Sequence, residues 1–330
     1  MKRLLTALLL ALTTANAWAA GLIVDTAFVS EAVQRGAIVW DVRSADQYRM
    51  GHIPGAVNIG HAGAVLRNPN TEDFIPVAQI ERILGAAGID PAKEIVVYAS
   101  RGDPFAYFGL YTIQYFGGKR VHVYHDGIDG WREAGRSVSS AGYRRAPVSL
   151  KLATNPAVAA MTSEVIAALK RRDVQLLDVR TVGEFTGDDI RAIRGGHIPG
   201  AVNIPYEQNW MDPDTPLKVA RRQAKDNAGM TLKPVNELKR LYSGLDPGKE
   251  TIVYCQSGVR AAQTATVLSQ LGFRNVKVYD ASWLGYAGVL SAPANNEVFF
   301  NVGALQGRLS ALQSRIDQLE RELGEARARK

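Results

Sequence analysis

Two kinds of apolar pattern alternate along the chain. At residues 174–179 an apolar run bounded by charges follows a stretch in which Val165, Ile166 and Leu169 share one helical face behind Thr162, a residue suited to cap a helix. Residues 37–42 repeat that run, with Val29 and Val33 on the helical face and Asp25 or Thr26 as cap. Ile95-Val96-Val97-Tyr98, Val121-His122-Val123-Tyr124, Thr251-Ile252-Val253-Tyr254 and Val276-Lys277-Val278-Tyr279 read as further short strands. Strands this apolar, separated by helices, need cover on both faces, which predicts parallel sheets and an α/β architecture.

The pattern occurs twice. Asp41-Val42-Arg43 followed by Gly51-His52-Ile53-Pro54-Gly55-Ala56-Val57-Asn58-Ile59 recurs as Asp178-Val179-Arg180 followed by Gly196-His197-Ile198-Pro199-Gly200-Ala201-Val202-Asn203-Ile204. The chain is a tandem duplication, with one unit over 21–145 and a second over 146–292. Residues 139–156, rich in Gly, Pro and Ser, read as the connection between them. The second unit carries a longer 178–197 segment and an insertion at 206–234, the kind of loop on which contacts to a substrate are built.

Residues 293–303 read as a linker to a different pattern at 304–330. There Leu305, Leu309, Leu312, Ile316, Leu319 and Leu323 alternate steps of four and three, a heptad seam, with Arg315 placed to meet Glu320 of a neighbouring strand. Arg315-Ile316-Asp317-Gln318-Leu319-Glu320 has the Arg-apolar-x-x-apolar-Glu form of short trimeric coils. A C-terminal coiled-coil helix making a homo-oligomer is expected. At the other end, Met1-Lys2-Arg3, an apolar stretch at 4–12 and Ala17-Trp18-Ala19-Ala20 form the three regions of a secretory signal over residues 1–20. The expected location is the periplasm or another exported compartment, and no segment reaches the roughly 20 apolar residues of a membrane span.

Composition changes this picture in two places. The net charge of +7 and pI near 9.4 come from scattered basic residues without an aromatic ladder, which argues against nucleic acid and favours small anions. Cys255 is the sole cysteine, and an exported protein with a single thiol cannot use it in an internal disulfide. His122 and His125 flank one short strand without a third ligand, so no metal and no cofactor are expected.

Cys255 heads the loop Cys255-Gln256-Ser257-Gly258-Val259-Arg260, between the strand at 251–254 and a helical stretch at 261–271 that ends at Gly272. Such a connection lies at the carboxyl edge of a sheet. Gly258 lets the loop curl so that backbone N–H groups point at the sulfur, and these donors, the helix end and Arg260 favour thiolate over thiol. The loop, the Asp-x-Arg strand ends, both Gly-His-Ile-Pro-Gly-Ala motifs and Val278-Tyr279-Asp280 followed by Trp283 resemble the rhodanese family, specifically its tandem thiosulfate and mercaptopyruvate sulfurtransferases, over residues 22–290.

The resemblance implies two rhodanese-like domains and a Cys255 thiolate that takes the outer sulfur of a small anionic donor and passes it from a persulfide to a thiol or cyanide acceptor. It implies that Asp178 and Arg180 order the active-site loop. Trp283 either closes the pocket or packs in the core, and His52 and His197 stabilise a turn found in both copies. The first unit has Ala99 in place of Cys255, within Ala99-Ser100-Arg101-Gly102-Asp103-Pro104, and should be catalytically silent. One position departs from the family: Glu184 stands where well-studied members place a substrate-binding Arg before Phe185. Arg260, and behind it Arg221 or Arg222, are the replacement candidates. Arg260 also disfavours mercaptopyruvate, whose enzymes present Thr there. The Cys255-to-Arg260 loop is shorter than that of related phosphatases, which argues against phosphate esters, and a coiled-coil scaffold that binds a partner is the rival from another class.

Overall fold

A computed structural model describes residues 21–328. The secretory signal expected at 1–20 lies outside the described residues. The first domain runs β1 (Ile23–Val24), α1 (Thr26–Gln34), β2 (Ile38–Asp41), α2 (Ala45–Met50), β3 (Val57–Asn58), α3 (Ala62–Leu66), α4 (Val77–Ala86), β4 (Ile95–Tyr98), α5 (Pro104–Tyr115), β5 (Val121–Tyr124) and α6 (Gly127–Glu133). The second runs β6 (Ala159–Ala160), α7 (Thr162–Ala168), β7 (Val174–Asp178), α8 (Val182–Thr186), β8 (Arg194–His197), β9 (Val202–Asn203), α9 (Thr215–Ala220), α10 (Val235–Leu241), β10 (Glu250–Tyr254), α11 (Val259–Gln270), β11 (Asn275–Tyr279) and α12 (Ser282–Gly288). Each domain builds one parallel five-stranded sheet, in the orders β1-β5-β4-β2-β3 and β6-β11-β10-β7-β9. The two orders superimpose strand for strand, as the duplicated sequence requires.

Helix starts follow local chemistry. Asp25 caps α1 by accepting from the Phe28 N–H at 2.9 Å, and Asp103 caps α5 in the same way at Phe105 with Pro104 in the first turn. Thr181 and Glu184 form a capping box on α8. The expected cap Thr162 is instead the first residue of α7, and its hydroxyl bonds that of Tyr279 at 2.8 Å.

The domains share a core. Helices α5 and α11 lie against each other between the two sheets, and one continuous cluster runs from Trp40 and Val97 through Phe108 and Ala262 to Val253. This explains why α5 is apolar around most of its circumference and why α11 buries even its polar Gln263, Thr264 and Thr266. At Gly109 an added Cβ would stand 2.6 Å from the Val97 side chain, so α5 rides close on its sheet.

Two boundaries differ from expectation. Residues 139–156 do not run free: Ser139 pairs with His52, Val148 donates to the Gly85 carbonyl, and the Leu152 N–H bonds Glu81 at 2.8 Å, so the connection straps the first domain before reaching the second. The expected linker at 293–303 contains β12 (Asn295–Phe299), which pairs antiparallel with β8, followed at once by α13 (Val302–Ala328). Residues of β12 satisfy backbone groups of the long segment between β7 and β9, which is why a run without apolar periodicity becomes a strand. No helix among the described residues is long and apolar enough to cross a membrane.

Candidate active site

Cys255 follows β10 directly and is 1% exposed. Gly258 takes φ +84°, and an added Cβ there would stand 2.8 Å from the Asp280 carbonyl, so a left-handed, side-chain-free residue is required at this turn. Ser282 holds the loop from behind. Its Oγ accepts from the Cys255 and Gly258 N–H groups, each at 3.0 Å, donates to the Tyr279 carbonyl at 2.7 Å, and lies 4.0 Å from Sγ. Ser282 itself has φ +49°, a conformation costly for a residue with a side chain. The Trp283 and Leu284 N–H groups take the Cys255 and Gln256 carbonyls at 3.0 Å, which turns those carbonyls away and fixes the loop path. Among the described residues no protein oxygen accepts from the N–H groups of Gln256, Ser257, Val259 or Arg260. These donors at the start of α11 remain for the sulfur or for an anion beside it.

The nearby charges form a cluster rather than a lone cation. Arg260 makes a bidentate pair with Glu184, both contacts at 2.7 Å, and Arg191 adds a third at 3.3 Å. Burial opposes ionisation of Glu184, yet the bonds from Arg260, the Thr181 N–H and Arg191 outweigh it and lower its pKa to about 2. Burial likewise opposes the Arg260 charge, but Glu184, the Cys255 sulfur and Tyr206 raise its pKa. Glu184 therefore neutralises Arg260, the cation expected to replace the family's anion-binding Arg. Arg191 remains 52% exposed, with its carbonyl held by the Gln256 amide at 2.7 Å. It comes from the longer 178–197 segment and was not singled out by the sequence. Arg221 and Arg222 are exposed and make no recorded contact with the loop.

Asp178 and Arg180 form a buried ion pair, with Arg180 also donating to the Gly196 carbonyl at 2.7 Å and lying 4.7 Å over the Trp283 ring. Asp41 and Arg43 repeat this in the first domain, down to the bond with Gly51. A constellation that persists without a nucleophile is part of the fold's frame. Trp283 is 1% exposed, donates to the Arg194 carbonyl and packs in the core of the second domain. His52 and His197 stack on Tyr48 and Phe185 and bond carbonyls of the same residues, again identically in both copies. His122 and His125 diverge, one to the Gly21 carbonyl and the other to Tyr107 and the Met230 carbonyl.

Like Arg191 and Ser282, Arg67, contributed by the first domain, was missed by sequence reasoning. It donates to the Ser257 carbonyl of the Cys255 loop at 2.7 Å and ion-pairs with Asp280, the residue packed against Gly258. Its guanidinium lies 4.4 Å from the Phe108 ring centre, which supports it inside the interface. Burial pushes the Asp280 carboxyl up to about 6 in spite of Arg67. A thiol at a strand end, heading a loop with unused N–H donors that is braced from two domains, can hold negative charge on one sulfur or on a chain of two.

The sequence pattern of the rhodanese-like domain matches residues 26–134 and again 161–288. The chain belongs to this family. The thiosulfate sulfurtransferase of Corynebacterium glutamicum is 35% identical over 263 residues, 74% of this chain and 80% of that protein. The thiosulfate sulfurtransferase of Azotobacter vinelandii is 31% identical over 249 residues, covering 74% and 86%. Among solved rhodanese-fold structures, the anaerobic ergothioneine biosynthesis enzyme of Chlorobium limicola, in complex with trimethyl histidine, aligns with a TM-score of 0.70 over 84% of this chain and 70% of its own, at 21% identity. At that identity the likeness is one of fold.

Proposed function

We propose that this rhodanese is a sulfurtransferase that moves a sulfane sulfur from thiosulfate to a thiophilic acceptor through a persulfide on Cys255. The observation that carries the reading is the Cys255 loop, where a buried sulfur heads a turn whose N–H donors no protein oxygen uses among the described residues. The names of the relatives supply the substrate class. In the first half-reaction the Cys255 thiolate attacks the outer sulfur of thiosulfate, the S–S bond breaks, and sulfite leaves with the bonding pair. In the second, an acceptor such as cyanide attacks the terminal sulfur, thiocyanate leaves, and the thiolate returns. No outside oxidant or reductant is needed. The loop N–H groups stabilise both anions, and Arg191, with Arg260 and Glu184 nearly cancelling, supplies the open positive charge that draws a small dianion to the rim. The sequence of residues 1–20 supports an exported setting for this chemistry.

Intact mass after thiosulfate treatment is the test. The protein should gain one sulfur atom, located on Cys255, and lose it to cyanide as thiocyanate. An unchanged mass with a demonstrably free thiol would reject the mechanism.

A further inference from the structure

We propose that α13 is the surface on which a second copy of this chain docks, helix against helix, parallel and in register. The helix leaves the second domain immediately after β12, and none of its side chains is buried. Its six seam residues from Leu305 to Leu323 are each between 40% and 61% exposed, and Val302 extends the seam by one step. The helix therefore does not use its apolar stripe against its own domains. Gly303, Gly307 and Gly324 make it a weak helix former, and a helix of this kind needs a packed partner to persist in water.

The charges flanking the seam identify the partner. With Leu305, Leu312 and Leu319 at d and Leu309, Ile316 and Leu323 at a, the g positions are Arg308, Arg315 and Glu322, and the e positions are Gln313, Glu320 and Arg327. Parallel, in-register copies set Arg315 beside Glu320 and Glu322 beside Arg327, with Arg308 facing the neutral Gln313. No like charges meet. A fully overlapped antiparallel pair would instead set Arg315 against Arg315 and leave Glu320 and Arg327 without opposite charges, with only Arg308 meeting Glu322. Only the parallel orientation pairs the flanks without like charges meeting, which selects a second copy over an unrelated helix. At the base, Ile193, Val298 and Phe299 are exposed beside Val302, and the Phe300 N–H bonds the Ile193 carbonyl at 3.0 Å. This patch continues the seam onto the catalytic domain. Parallel docking places every Cys255 domain at the same end of the assembly.

Sedimentation of the purified protein at micromolar concentration should give two or three times the single-chain mass. Leu312→Asp with Leu319→Asp should return it to the single-chain mass while turnover per Cys255 is kept, because α13 touches nothing in the site. For orientation, Leu305→Cys in a Cys255→Ser background should form a disulfide between copies on mild oxidation, whereas a chain pair carrying Leu305→Cys and Leu323→Cys separately should not cross-link. A single-chain mass for the unaltered protein overturns the proposal, and cross-linking only in the mixed pair overturns the parallel register.

Discussion

The two domains carry the same loop in two states. In the second, Cys255 follows β10, four loop N–H groups have no protein acceptor among the described residues, and Ser282 holds two more from behind. In the first, Ala99 follows β4, and three loop donors are consumed: Arg101 N–H bonds Asp129 at 2.8 Å, Gly102 N–H takes the His125 carbonyl, and Asp103 N–H takes that of Ser100. The position matching Ser282 is Gly127, also left-handed at φ +54° but without a side chain to reach the loop. Arg101 is bound to Asp126 and Glu133 on its own domain. The loop after β4 is satisfied within its own domain, whereas the loop after β10 keeps N–H donors without a protein acceptor among the described residues. The two loops thus differ along their whole length and not only in the thiol.

The sharpest way to break that comparison is to move the thiol. Cys255→Ser should abolish sulfur transfer, and adding Ala99→Cys to it should restore none, although the new thiol would occupy the matching strand end. Mass spectrometry after thiosulfate should show no persulfide at residue 99. A restored turnover would mean that the thiol alone distinguishes the loops.

The next largest effect is expected at Ser282. Ser282→Gly copies the first domain, relieving the strained φ but leaving the Cys255 and Gly258 N–H groups without their shared acceptor. Each buried donor left unpaired costs about 1–3 kcal/mol. Since the loop can relax in part, kcat should fall roughly ten- to a hundredfold, with KM for thiosulfate little changed. A fall in KM affinity alone would place Ser282 in binding and not in loop geometry.

The duplication, the α/β class and the Cys255 loop were legible because each rests on short-range patterns: apolar runs, a motif repeated in order, and a Gly-containing strand-to-helix turn. The Glu184 cap was also written locally, since Thr181-x-x-Glu184 is a capping-box pattern, but its pairing with Arg260 spans 76 positions and has no local signal. What stayed hidden acts over distance. Arg67 and the Ser257 carbonyl are 190 positions apart, and Arg67 follows Val65-Leu66 with nothing to mark it as an interface residue. Ser282 becomes visible only when it is set beside Gly127, because its importance lies in a backbone angle. The strand at β12 forms because β8 offers an open edge, a fact of tertiary structure and not of its own composition.

The smallest expected effect tests the bracing between domains. The crossing is mutual: the second domain's insertion reaches the first through Met230 and Asn227, while Arg67 of the first reaches Ser257 and Asp280 of the second. Only the latter touches a nucleophile's loop, so Arg67→Ala should lower kcat several-fold, with Arg67→Lys recovering part of it through the charge but not the forked geometry. Asp280 adds a pH signature. Its carboxylate, which holds Arg67, predominates above about pH 6. As pH falls through that value the native enzyme should lose rate relative to Asp280→Asn, whose lower rate carries no such step. Stability should move the opposite way. A carboxyl whose folded pKa is raised from 3.8 to about 6 contributes stability that is fully present below 3.8 and is lost as pH rises through about 6. The native protein should therefore gain on Asp280→Asn in thermal midpoint between pH 6 and 4 while its relative rate declines. Rate and stability moving together in that window would show that Asp280 serves the fold alone and that the silent domain does not brace the loop.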